Sequence, residues 1–314
     1  MTHLLDRRLL FVTGKGGVGK TTMAAALADL AVRRGQRTLV VEMDAKGAVA
    51  AALEAPALSF KPVEVQPRLF AMAMNTEDSL REYLRVVARI PLVGRISPLA
   101  RTFDFVADAA PGVKEILAIG KVCYEVRERH YDLVIVDAEA SGHIVAQIDA
   151  PRAIRELVQV GPVRDQTEWM LRILGDPRQT GLVAVTTPEE MPIVETVELV
   201  ERVRSTTDVD VAAVIANRVV PTWFEASDES AFDALRAPEP MSLLRERAGT
   251  RVDTVMAAAE LARTRRTMAA SHLAQLREGL PEDVPVLEVP EIYSRAGGRR
   301  VVSLVSDELQ AEVD

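Results

Sequence analysis

With 314 residues, 48% of them hydrophobic and 27% charged, the chain has the composition of a soluble globular protein and enough length to bury a large core. Its net charge of -8 argues against a broad basic surface for nucleic acid, which needs clustered Lys and Arg to neutralise phosphates. Its single cysteine, Cys123, excludes an intramolecular disulfide, a four-cysteine zinc site and a cysteine-ligated iron-sulfur cluster within one chain, and reads as a small buried hydrophobe.

The N-terminal stretch MTHLLDRRLLFVTG carries too short an apolar run for a signal peptide, and no run reaches about 18 apolar residues, so the expected location is the cytoplasm. Strand-like runs rich in Val, Ile and Leu follow at 9–13, 37–43, 69–74, 132–136, 181–186, 211–216 and 284–289. Most are continuous rather than alternating, as strands buried on both faces of a parallel sheet require. Helical patterns fall between most of them. One spans 21–34 and is closed by Gly35; another spans 189–205 and opens on Glu189 and Glu190, acids suited to a helix N-terminus. The alternation predicts a doubly wound α/β fold with a mainly parallel sheet. Two strand-free stretches, 76–128 and 225–278, carry further helical patterns, the first around 76–90 and 112–129, the second interrupted at Pro238 and Pro240. They are expected to form a helical subdomain on one edge or face of the sheet, so that residues 1–314 make one domain. The acidic end, SDELQAEVD, reads as a helix.

Between the first strand and the first helix stands TGKGGVGKTT, residues 13–22. Gly14, Gly19, Lys20 and Thr21 complete the phosphate-loop pattern G-x-x-x-x-G-K-[ST] in the strand-to-helix setting that makes it informative. Across Gly14, Gly16, Gly17, Val18 and Gly19 the backbone N–H groups can turn inward on the phosphates of ATP, at the N-terminus of the helix that carries Thr22. Lys20 is expected to span the β and γ oxygens, and the Thr21 hydroxyl to serve Mg²⁺. Lys15 is left over. Only six of the 38 cationic residues are lysine, at 15, 20, 46, 61, 114 and 121. Where Arg is the default cation, a retained Lys marks a place that needs a compact ammonium, such as the space among crowded phosphate oxygens.

GKGGVGKTT resembles the loop of the deviant P-loop ATPases, a class that includes partition and septum-positioning ATPases, nitrogenase iron protein and arsenite-pump ATPases. The resemblance implies that Lys15 reaches across a dimer interface to the partner's phosphates, so that hydrolysis needs two subunits face to face. A solvated loop lysine is the plainer alternative. Further segments narrow the likeness. VVEMDAKGA places Asp44 at a strand end, YDLVIVDAEASGH places Asp137 and Gly142, VIANRVVP places Asn217 and VLEVPE places Pro290. VAVTTPEEMPIVETVELVERV resembles the corresponding strand and helix of the arsenite-pump and guided-entry (tail-anchored protein targeting) ATPases.

By that resemblance Asp137 holds Mg²⁺ through water and Asp44, the first-switch acid, orients the attacking water. Gly142 belongs to the second switch, Asn217 reads the adenine edge and Pro290 lies on the adenine side. Asn217 also fits a strand-end turn, Pro290 an ordinary strand end, and His143 a structural place at a helix start. Lys46 fits a phosphate or partner contact as well as a solvent-facing loop position. Two departures stand out: the first switch, DAKGA, lacks the Pro and His of the commoner DPAHS, and the cysteines that clamp zinc or bind arsenite in these relatives are absent. The implied function is an Mg-ATP-hydrolysing switch, a homodimer or a heterodimer with a paralogous ATPase, that couples nucleotide state to a client protein or membrane partner through a helical surface at 80–128. A surface-positioning ATPase of the partition or septum-site type is the alternative. It calls for a basic amphipathic C-terminal helix, for which RAGGRR at 295–300 is the one candidate. Nucleic acid is not an expected partner, and the client is left open.

Overall fold

The computed structural model describes residues 4–75, 77–79, 81–82, 113–158, 160–223 and 226–313. Among these, eight strands form one sheet: β1 (Leu9–Gly14), β2 (Thr38–Glu42), β3 (Val63–Gln66), β4 (Leu69–Ala73), β5 (Leu133–Ala140), β6 (Thr180–Thr186), β7 (Val211–Val219) and β8 (Val286–Pro290). Their order is β3-β4-β2-β5-β1-β6-β7-β8, and every neighbouring pair is parallel except β3–β4. Among the described residues ten α-helices flank it: α1 (Lys20–Arg33), α2 (Ala48–Ala52), α3 (Val113–Arg127), α4 (Ser141–Leu157), α5 (Pro162–Leu174), α6 (Glu190–Thr206), α7 (Ala226–Leu235), α8 (Pro238–Ala248), α9 (Arg251–Gly279) and α10 (Gly298–Val313).

The continuous apolar strands feed two cores. Leu9 and Phe11 of β1, Leu39 and Val41 of β2 and Val134 and Val136 of β5 pack against α3, α4, α5, α6 and α9. Their strand neighbours Leu10, Val12, Val40, Leu133 and Ile135 pack against α1, α2 and α10. The period of two sends successive side chains to opposite faces, so a strand covered on both sides must be apolar throughout. Cys123 lies in the first core, fully buried, and burial pushes its thiol far above the usual range. Lys121 is buried too, between Glu82 and Glu125 at 2.9 and 2.7 Å and over the Phe60 ring.

The seven expected strands are all present, and the doubly wound, mainly parallel architecture stands. The eighth, β3, was missed in the sequence because it is four residues long, antiparallel and half exposed, with Glu64 on the sheet edge. In the 225–278 stretch, Pro238 does not interrupt a helix: it opens α8 at the first helical position, where its missing N–H costs nothing. Pro240 sits in that same first turn, and the second break falls instead at Gly249, whose φ is +76°. Most of the 76–128 stretch lies outside the described residues, including much of the groove at 80–128 and most of the helix expected at 76–90, of which residues 77–79 and 81–82 are helical. The acidic end is helical as expected. It lays Val302, Val305 and Leu309 on α1, while Arg33 bonds Ser303 Oγ at 2.9 Å and Asp307.

That docking predicts a stability cost. Leu309→Ala should destabilise the protein by about 2–5 kcal/mol in urea unfolding, as for other fully buried leucines, whereas Leu243→Ala, half exposed on α8, should change it by less than about 0.5 kcal/mol.

Candidate functional site

In a parallel sheet the strands' carboxyl ends share one edge, and crevices there take ligands. β1 reaches that edge and becomes the loop of residues 14–19. Gly14, with φ +150°, lies so close to β6 that a Cβ on it would stand 2.1 Å from the Val185 carbonyl oxygen. Gly19, with φ +98°, is covered by Asn217, whose Nδ2 would lie 2.5 Å from an added Cβ. Gly16 and Gly17 face open space, and Val18 is buried beneath the loop. The result is an open cradle of backbone N–H groups above the N-terminus of α1, the geometry that binds a chain of phosphates.

The two lysines behave differently. Lys20 folds back over the loop, its Nζ donating to the Lys15 carbonyl at 3.2 Å, and burial, partly opposed by the Asp137 charge, holds it below the ordinary lysine value. Lys15 leaves the loop altogether and donates to Glu195 Oε1, in the first turns of α6, at 2.5 Å. Glu195 was not singled out in the sequence. It also lines, with Ser141, Gly142, Glu198 and Arg202, a cleft of about 260 Å³ at the start of α4. His143 and Gly142 are both exposed there.

The acids sit one strand apart. Asp137, near the end of β5, is 7% exposed and accepts the Thr21 hydroxyl at 2.7 Å through Oδ2, while its Oδ1 has no hydrogen-bond partner among the described residues. Burial pushes this carboxyl up to about 6, against the Thr21 bond and the Lys20 charge, and the charges of Glu42 and Asp44 add to the rise. A buried carboxylate with an idle oxygen beside a threonine hydroxyl has the donor set of a hydrated Mg²⁺ site, so the residues fit that cation. Asp44 follows β2 on an exposed loop, paired with Lys46, which faces solvent. On the far side of the loop, Asn217 donates to the Val18 carbonyl at 2.7 Å and joins Gly19, Thr22, Pro290 and Ile292 around a cleft of about 190 Å³. The expected adenine-side residues, Asn217 and Pro290 on two strands and 73 positions apart, therefore line one cavity.

Asp137 also predicts a pH dependence. Because its carboxyl is raised from the unfolded value of about 3.9 to about 6, the folded nucleotide-free protein binds the extra proton in that window and loses stability as pH climbs through it. Asp137→Asn should therefore match the parent near pH 4 and be more stable by up to roughly 3 kcal/mol near pH 7.5. Urea unfolding at the two pH values checks this; an equal difference at both would mean that Asp137 ionises normally.

The sequence matches a model of the anion-transporting ATPase family over residues 7–171 and 155–240. It is 31% identical to the ATPase BagA of Mycobacterium tuberculosis over 238 residues, covering 72% of this chain and 69% of that one. It is 23% identical to an ATPase ASNA1 homolog of Entamoeba dispar, covering 70% and 80% of the two chains, and 23% identical to the ATPase get3 of Schizosaccharomyces japonicus, covering 98% and 94%. The family match spans the phosphate loop, both acid-bearing strands and the helix that carries Glu195; the chain belongs to the anion-transporting ATPase family and is an ATPase.

Proposed function

We propose that the protein is a dimeric Mg-ATP switch whose Lys15 acts on the nucleotide of the facing subunit. The observation that carries this is the direction of Lys15: it points out of its own cradle to Glu195, while Lys20 alone bends over the loop. A cation that its own phosphate site does not use is free to serve another.

In this reading the loop amides and Lys20 hold the triphosphate, and Asn217 with Pro290 border the base. Mg²⁺, when bound, would supply charge neutralisation to the phosphoryl group in transfer. Thr21 and Asp137 hold its place. Asp44 orients the attacking water rather than taking its proton. Lys46, now on Asp44, leaves that carboxylate as the water is positioned. Gly142, exposed at the start of α4, would register the γ-phosphate and pass the change along that helix.

The output we infer is capture and release of a client by helices. Support comes from α8 and α9, where Leu243, Val255, Leu261 and Met268 are exposed near a cleft of about 620 Å³ lined by Met241 and Met256. Flexible, apolar Met-bearing surfaces suit varied apolar partners. No observation favours the surface-positioning alternative: the apolar face of α10 is already spent on α1, and Arg299 of RAGGRR bonds the Leu53 and Val65 carbonyls at 2.6 and 2.5 Å.

Lys15→Ala should bind ATP normally yet lose about 10³–10⁵ of its hydrolysis rate, whereas Lys20→Ala should lose binding. Mixing decides where the lysine acts. Asp44→Asn is expected to be inactive as well, but a mixture of it with Lys15→Ala should regain hydrolysis, because each mixed dimer contains one site with Asp44 and a partner's Lys15. A mixture as inactive as its components would sink the trans assignment.

A further inference from the structure

Strand β2 reads Thr-Leu-Val-Val-Glu, and all five residues are buried. Glu42 is 2% exposed, an acid in a position that the fold otherwise fills with apolar side chains. Burying a carboxylate costs several kcal/mol unless its oxygens are bonded, so the two oxygens need separate accounts. Oε1 is satisfied: it accepts the backbone N–H groups of Ala48 at 2.7 Å and Val49 at 3.4 Å, at the start of α2. Those bonds clamp the loop of residues 43–47, which carries Asp44, closed at its far end. Oε2 has no hydrogen-bond partner among the described residues.

A second idle oxygen stands on the neighbouring strand. Glu42 and Asp137 are register partners on the adjacent parallel strands β2 and β5, so their side chains leave the same face of the sheet side by side. Asp137 Oδ1 is idle as well, and its other oxygen holds Thr21. Two buried carboxylates set together with one free oxygen each repel, and the charge of Lys20 on Asp137 does not satisfy either free oxygen. A hydrated divalent cation would: Mg²⁺ keeps several of its waters when protein-bound, and each coordinated water has protons that need acceptors.

We propose that Glu42 is a second acid of the magnesium site, accepting from the cation's water with Oε2 while Oε1 holds the first switch. The assignment rests on the reading of Asp137 as the metal-side acid. It makes the loop of Asp44 responsive to the cation through one water, since the same side chain accepts from that water and from the loop's far end, and it explains why an acid stands where burial penalises it.

The experiment is a Mg²⁺ titration of fluorescent-nucleotide binding, with amide exchange at Ala48 and Val49 followed in parallel. Glu42→Gln keeps a carbonyl oxygen for the two amides but loses the charge. It should keep their protection and raise the Mg²⁺ concentration for half-saturation by about 10-fold or more, the usual cost of losing an outer-sphere partner, with nucleotide binding in EDTA unchanged. Glu42→Asp keeps the charge but is one methylene shorter, so it should lose the amide protection and hold the Mg²⁺ response within a few-fold. Should Glu42→Gln titrate like the parent while Asp137→Asn is weakened, Glu42 is a helix cap and the proposal is wrong. Should Asp137→Asn also titrate like the parent, the metal-side reading of Asp137 falls and takes the proposal with it.

Discussion

The carbonyl oxygen of Val185 occupies the space where any side chain on Gly14 would have to go. That approach lets β1 pass against β6 and turn out of the sheet at once, so the loop curls back over the start of α1 instead of running on as strand. Much of the site follows from it. With the loop pulled in, Asn217 reaches the Val18 carbonyl from β7 and closes the second side of the crevice. Lys15, at the crest, is thrown outward to α6, and Lys20, five residues later at the start of α1, is thrown inward.

The central strands set the electrostatics. β5 lies between β2 and β1, so the acid at its end, Asp137, has Glu42 on one flank and the loop with Lys20 and Thr21 on the other. Two buried acids on neighbouring strands, Glu42 and Asp137, against one inward lysine leave a deficit of positive charge that burial makes costly, while Asp44 nearby is exposed and paired with Lys46. In the proposed reading a ligand that brings a cation offsets that charge, and Glu42, whose Oε1 holds the start of α2, ties the loop of Asp44 to the same site.

Much of this was legible beforehand. The continuous apolar runs announced strands covered on both faces, and the loop pattern between a strand and an Ala-rich helix announced a phosphate site. The scarcity of lysine pointed at Lys15, and Lys121 shows the same preference in another setting, where a compact ammonium sits between two carboxylates. Glu42 left a trace that could have been read, an acid closing an otherwise apolar strand. Glu195 left none, because one glutamate among several on a polar helix face has no local signal. β3 escaped because a four-residue edge strand has too few residues to show a period.

The division follows the range of the forces involved. Periodicity, turn chemistry and a contiguous motif are properties of neighbouring residues, so the amino-acid order alone determined the α/β class, the seven main strands and the phosphate cradle. Which groups meet across 50 to 200 positions depends on strand order, and strand order is decided by how the helices bury their faces on the two sides of the sheet. Only the tertiary structure could therefore put Lys15 on Glu195, set Glu42 beside Asp137, and bring Asn217 and Pro290 to one cavity.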